Sequence, residues 1–320
     1  MTPRSIHYSS AAAISLAMVA AGPAHAGGLT LAHPYFEGGA VDTWARELAD
    51  CGERVTGIPI EVIGGGKLGR SNDVADAVAD GLIDMAILPP GALDKRWPEV
   101  SALDQPGQVY DPQDMTKLSE SQTFIERLNS MGGRTNDLQL VAVGWRHAIL
   151  VGAGSGLEEL QGKKLGVHDG TILEALERIG ADPVLIPASE LLPALQYGAV
   201  DGVIVDAETA WHAEGTFKEL QWSADFAPFA SPIVVVMNAA TGDAFGEDLS
   251  SRISTECLYA THEFNVRAID NISLLARDAT VFPVSEAERE VLRDSLQDVG
   301  SIRWADHDLV DSAVREALGE

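Results

Sequence analysis

The sequence predicts an open α/β fold in two similar lobes with a cleft between them. Three observations carry this prediction. A short pattern occurs twice, AVADGLIDMAI over 77–87 and ALQYGAVDGVI over 194–204. Each copy reads as a helix end, a glycine suited to a left-handed turn, two apolar residues, an aspartate and a buried strand. Around the copies, apolar strands alternate with amphipathic helices, as in a sheet covered by helices. The chain of 320 residues has room for two lobes, and no low-complexity linker separates them.

The first 26 residues read as a secretory leader. Arg4 is its positive start, Ala11 to Ala21 its apolar run, and Ala24-His25-Ala26 its small-x-small cleavage site. The expected location is therefore periplasmic, with cleavage after Ala26. No later run approaches the roughly 18 uninterrupted apolar residues of a spanning helix, so no direct membrane insertion is expected.

A strand is expected at Leu29–Ala32, then a loop through Gly39 and a helix facing Val41, Trp44, Leu48, Cys51 and Val55 inward. Ile58–Ile63 is the next strand and Gly64 to Gly69 a turn. A helix capped by Ser71 or Asn72 ends at Gly81 and delivers the strand Met85–Leu88. Residues 92–112 read as irregular, and a helix follows from about Asp114 to Met131. Leu138–Val143 is a strand, and Trp145-Arg146-His147 leads into a second apolar run, Ala148–Val151. Strands at Lys164–Val167 and Pro183–Ile186 flank a helix from Thr171 to Ile179. The second copy of the pattern ends in Val203–Val205, and Ile233–Met237 is again a strand. A long helix from about Glu247 to Arg277 would reach roughly 45 Å, enough to brace both lobes. The tail from Ser285 is helical and acidic. Lobe I is thus read as 27–148 joined by about 232–258 and 285–320, and lobe II as 149–231 with about 259–284.

The formal net charge is −26, and removal of the leader takes away one further positive charge, Arg4. Such a surface repels phosphate backbones and anionic lipid, which argues against nucleic-acid or membrane partners. The two cysteines, Cys51 and Cys257, each follow apolar residues at helical spacing. Two buried thiols are favoured over a disulfide, which an export compartment permits.

The chemical motifs fail one by one. Leu68 follows Gly64-Gly65-Gly66-Lys67 where a phosphate loop needs another pattern, and Gly152-Ala153-Gly154-Ser155-Gly156 leaves no space for a crossover helix. His262-Glu263 lacks the second histidine of a zinc protease, and no Gly-x-Ser-x-Gly elbow exists. Binding is favoured over catalysis, with no cofactor and no metal. The contrasting reading is a secreted enzyme using His147, His168 and an aspartate with a metal.

Several segments together resemble the extracytoplasmic solute receptors of tripartite ATP-independent periplasmic (TRAP) transporters, dicarboxylate-receptor (DctP-like) type. Gly65 to Gly69 resembles that family's "x-Gln-Leu-Gly" turn, and Ala77 to Ala86 its "x-Val-x-x-Gly-x-x-Asp-Met-Ala". Leu157 to Leu165 resembles "Leu-x-Asp-Leu-Lys-Gly-Lys-Lys-Ile", Leu195 to Gly202 "Leu-Gln-x-Gly-x-Val-Asp-Gly", and Phe217 to Gln221 "Phe-x-Glu-Val-Gln". The resemblance implies a type II-like periplasmic binding protein: two α/β lobes, a long bracing helix, a small-molecule solute in the cleft and membrane permease subunits as partner. It also implies an organic acid held by an arginine in the strand after "Gly-Lys-Lys-Ile". Here that position is Gly166, and a glycine cannot replace a bidentate guanidinium.

Arg146 matches a second arginine position used in the family and could carry the carboxylate, with His168 assisting. Alternatively the ligand is neutral or cationic and faces Asp169 or Asp206, or the cleft takes a partner instead. Crevices form where strands end in such sheets. That selects His33, Tyr35 and Phe36 after the first strand and Pro89 after the first repeat strand. Trp145, Arg146, His168, Asp169, Asp206 and Asn238 follow from the same rule, and Trp211 joins Trp145 as a stacking surface. A ligand-sensing role is the remaining alternative to transport.

Overall fold

In a computed structural model, the described residues are 27–35, 37–104, 112–131, 138–152, 157–167, 172–186, 188–206, 223–245, 249–278, 281–283, 285, 287 and 307–319. Nine strands occur among them: β1 (Leu29–Ala32), β2 (Ile60–Ile63), β3 (Met85–Leu88), β4 (Leu138–Gly152), β5 (Lys164–Val167), β6 (Asp182–Leu185), β7 (Gly202–Asp206), β8 (Ser223–Asn238) and β9 (Val281–Pro283). They form one sheet in the order β2-β1-β3-β8-β4-β7-β5-β6, with β9 against β8. Exchanging β1 with β5, β2 with β6, β3 with β7 and β8 with β4 reverses this order onto itself.

The pairings obey the same exchange. β1 lies parallel to β2 and β3, as β5 does to β6 and β7. β3 then meets β8 antiparallel, and β7 meets β4 antiparallel. β4 and β8 run side by side from Leu138–Asn238 to Val151–Ser223, with two register shifts. At about 3.4 Å per residue, β4 is roughly 50 Å long and passes through both halves. The two apolar runs that read as separate strands are thus one strand.

The repeated pattern has the same job in both halves. Gly81 and Gly198 take φ of 70° and 67°, which a side chain would resist. Asp84 accepts the backbone N–H of Thr30 at 2.8 Å and its hydroxyl at 2.9 Å. Asp201 accepts the backbone N–H of Lys164 at 2.8 Å. Thr30 lies in β1 and Lys164 opens β5, so each aspartate ties its own strand to the parallel neighbour.

The helices are α1 (Ala40–Thr56), α2 (Ser71–Ala79), α3 (Pro98–Ser101), α4 (Pro112–Glu120), α5 (Gln122–Met131), α6 (Leu173–Arg178), α7 (Ala188–Gln196), α8 (Ala239–Phe245), α9 (Leu249–Glu256), α10 (Leu258–Asp278) and α11 (His307–Leu318). The segment read as irregular carries α3 between short 3-10 turns. The helix expected over 114–131 breaks at Ser121, whose Oγ accepts the Phe124 N–H at 3.2 Å and starts α5. The helix expected over 247–277 breaks at Cys257. The 21 residues of α10 give roughly 32 Å rather than 45 Å.

That break coincides with a correction. Cys51 and Cys257 form a disulfide, with S–S 2.06 Å and Cα–Cα 5.8 Å. Both sit on the apolar faces expected of them, yet α1 packs on α9 and α10 so that the two faces meet. Buried thiols and a disulfide look alike in each helix separately; the packing decides.

One core lies on each face of the β1-β3-β8-β4 region. Val78, Leu88, Trp97, Phe124, Leu140, Val234 and Val314 fill the first, so α11 packs there with α4 and α5. Leu31, Trp44, Leu48, Ile87, Val235, Ile253 and Phe264 fill the second. Trp44 stacks on Phe264 at 4.5 Å, and an ideal Cβ at Gly144 would stand 2.8 Å from the Phe264 ring. The other half of the sheet has Leu165, Val167 and Leu176 on one face and Leu191, Leu195 and Val203 on the other.

Candidate ligand cleft

The carboxyl end of β3 reaches the crossing strand β8, with β1 one strand further out. Leu88 pairs with Val234, and Pro232 pairs with Trp145. From the other half, Asp206 at the end of β7 pairs with Ala148. Arg146 and His147 pair with Ser231 and Ala230 in the stretch between. Backbone pairing thus gathers Pro89, Trp145, Arg146 and Asp206 around one short segment of β4, where the two halves meet.

His33 follows β1 and is buried, at 1% exposure. Its Nε2 lies 3.1 Å from Asp42 Oδ1. Asp42 also accepts the Gly38 N–H at 3.0 Å and the Arg46 Nε–H at 2.9 Å. Gly64, after β2, presses on this pair: an ideal Cβ there would lie 2.6 Å from His33 Cε1. The Gly65 N–H donates to the Tyr35 carbonyl at 2.8 Å, and Lys67 Nζ to Glu37 Oε1 at 2.5 Å. Together these bonds join the loops after β1 and β2 into one rim. Tyr35 is half-buried on it and packs against the second core.

Burial holds the His33 pKa below its ordinary value, outweighing the pull of Asp42. Burial alone would raise Asp42, but its hydrogen bonds from Arg46, Gly38 and His33 win and lower it. Both shifts have the same consequence. The unfolded chain takes up a proton before the folded one, so stability falls with pH, starting below the ordinary histidine value of 6.5. We expect the melting temperature to drop between about pH 7 and pH 5, and His33→Gln to flatten that part of the curve. Identical profiles for the two proteins would remove His33 as the cause.

Trp145 is buried in the first core, and its backbone N–H donates to Asn265 Oδ1 at 2.9 Å. Asn238 does not join the group. β8 runs antiparallel to β3, so Asn238 lies at the far end, beside Asp84. There its Nδ2 donates to the Val78 and Ala79 carbonyls at 2.8 and 3.2 Å. Phe36, His168, Asp169 and Trp211 lie outside the described residues, as do the side chains of Arg146 and Asp206.

Gly166 packs inside the second half of the sheet. An ideal Cβ there would stand 3.1 Å from Leu191 Cδ2, 3.1 Å from Val203 Cγ1 and 3.2 Å from Ile186 Cδ1. Three apolar groups hold the space where an arginine stem would begin.

Sequence reasoning missed Asp42 and Asn265. The first had a usable signal, an acid in the first helical turn with Arg46 one turn on. The second is a polar residue on the inward stripe of α10, which carries no signal until the partner strand is known. Among the described residues no cluster of histidine, cysteine or carboxylate side chains could hold a metal.

The DctP family, described as bacterial extracellular solute-binding protein, family 7, matches residues 33–299. No curated protein matches the chain. Among solved structures, a TRAP periplasmic solute-binding protein from Ralstonia eutropha H16 with bound (S)-2-acetolactate is similar at TM-score 0.77 and 17% identity, over 91% of this chain and 99% of that one. One from Xanthobacter autotrophicus Py2 with bound β-D-galacturonate is similar at TM-score 0.75 and 16% identity, over 91% and 99%. The periplasmic ectoine-binding protein of the TeaABC TRAP transporter of Halomonas elongata is similar at TM-score 0.73 and 15% identity, over 91% and 99%. At these identities the likeness establishes the two-lobed α/β fold.

Proposed function

The chain belongs to family 7 of the bacterial extracellular solute-binding proteins, and on that premise we propose a periplasmic receptor for one small organic acid. It closes its two halves over the acid and hands it to the membrane permease subunits of a TRAP transporter. The observation that supports this most is the approach of the β3 end, through β8, and of the β7 end, directly, to the segment Val143–Ala148 of β4. Arg146 lies in that segment and supplies the positive charge that a buried carboxylate needs. The leader is removed after Ala26. The moving bodies are 149–231 and 27–148 with the segments that pack on it; α10, expected with 149–231, belongs to the latter because Ala260 and Phe264 lie in the core around Trp44.

The packing around Gly166 supports a second reading. With the family's arginine position filled by apolar groups, the cleft has one fewer charge for a carboxylate, which suits a zwitterionic solute such as ectoine. Thermal shift of the mature protein with acetolactate, D-galacturonate and ectoine separates the two. A ligand at about a hundred times its Kd raises the midpoint by roughly 5 °C or more. A response to acids supports the first reading and a response to ectoine alone the second. Silence across a wider set of organic acids, amino acids, amines and sugars counts against a receptor altogether.

A further inference from the structure

α10 covers the edge of β4 that β7 does not reach. β7 pairs with β4 only from Ala148 onward, whereas α10 packs on β4 in the first half of the molecule. Asn265 sits close to where one cover gives way to the other. Its Oδ1 accepts the Trp145 N–H at 2.9 Å, so this open edge of the strand is capped by a side chain. A backbone N–H only donates, so the amide oxygen must face it and the orientation of the group is determined. Nδ2 therefore points elsewhere. It is fully buried, the residue being 3% exposed, and it has no acceptor among the described residues.

Capping a strand edge does not require this residue. An aspartate would accept the same N–H, and so would a hydroxyl. Asparagine adds donor hydrogens, which are costly to bury without an acceptor. These donors lie next to Trp145, where the ends of β3 and β7 approach the crossing strands. Phe264, Ala260 and Ala268 on the same inward side are apolar; Thr261, one turn earlier, is also buried and polar, but it is Asn265 that meets the open edge of β4.

We propose that Asn265 is a ligand-binding residue: its Nδ2 donates to an oxygen acceptor of the solute, a carboxylate or hydroxyl, while its Oδ1 holds the Trp145 amide. The inference rests on the reading that the cleft takes an oxygen-bearing solute. The neutral amide complements Arg146. It contributes direction without charge and favours acceptors over amines at its position.

The test is calorimetry with whichever of D-galacturonate and (S)-2-acetolactate binds the unmodified protein more tightly. Asn265→Asp keeps the acceptor for Trp145, removes the donor and adds a negative charge. It should weaken binding at least tenfold, while the buried charge lowers the unliganded melting temperature. A purely structural role predicts the reverse, unchanged affinity with the cap intact. If Asn265→Asp does not fold, Asn265→Ala decides by the same tenfold criterion on its folded fraction. Affinity within twofold of the unmodified protein in the folded variant overturns the inference and leaves the receptor reading standing. If neither acid binds the unmodified protein, the inference falls together with the organic-acid reading.

Discussion

Replacing both cysteines by alanine should lower the unfolding free energy by about 3–5 kcal/mol. The Cys51–Cys257 bridge closes a loop with a sequence separation of 206, and long closed loops restrict the unfolded chain most. For a chain of this size that corresponds to a melting temperature lower by roughly 6–15 °C. Scanning calorimetry of the unmodified protein with and without a thiol reductant, beside Cys51→Ala/Cys257→Ala, measures it. The variant should be insensitive to reductant. Equal melting temperatures for all samples would mean that the contacts of α1 with α9 and α10 hold this corner unaided. Arg54 contributes such a contact, donating to the Tyr259 hydroxyl at 3.0 Å.

The second large effect concerns Arg146. Arg146→Ala should weaken binding of a carboxylate ligand by roughly 30-fold to several thousand-fold, as expected when a buried anion loses its partner (about 2–5 kcal/mol). The unliganded melting temperature should change little by comparison. Because Gly166 offers no second guanidinium, no nearby arginine from β5 can compensate. Calorimetric affinity equal to that of the unmodified protein would refute the single-arginine arrangement and shift attention to a zwitterionic or neutral solute.

Much of the fold was legible because its parts are local. The repeated pattern announced two α/β units, and Gly81, Gly198, Asp84 and Asp201 perform related tasks in both. What was illegible depends on pairing between distant segments. The run Leu138–Val143 and the run Ala148–Val151 are divided by Trp145-Arg146-His147, which breaks the apolar pattern where the strand crosses between halves. Asn238 was placed among the cleft residues because it follows a strand, but the end of a strand faces the cleft only if the strand points that way. β8 points the other way, a fact set by its antiparallel partner β3. Cys257 looked like one more residue of a continuous stripe, and only the approach of α1 reveals a covalent stop. Asn265 is legible only once its partner amide on β4 is known.

The self-reversing strand order has a consequence for how the chain is made. The exposed edge of β3 is completed only by β8, and β7 borrows its inner neighbour, β4, from before it in the chain. Neither half owns a finished sheet, so neither can be excised as an independent folding unit. A nascent chain that has reached β7 still presents β3 with an unpaired edge and cannot settle into its final state. Native structure must wait until residues 223–238 have been synthesised. For an extracellular solute-binding protein, such late completion means that most of the chain is made before either half can close its sheet.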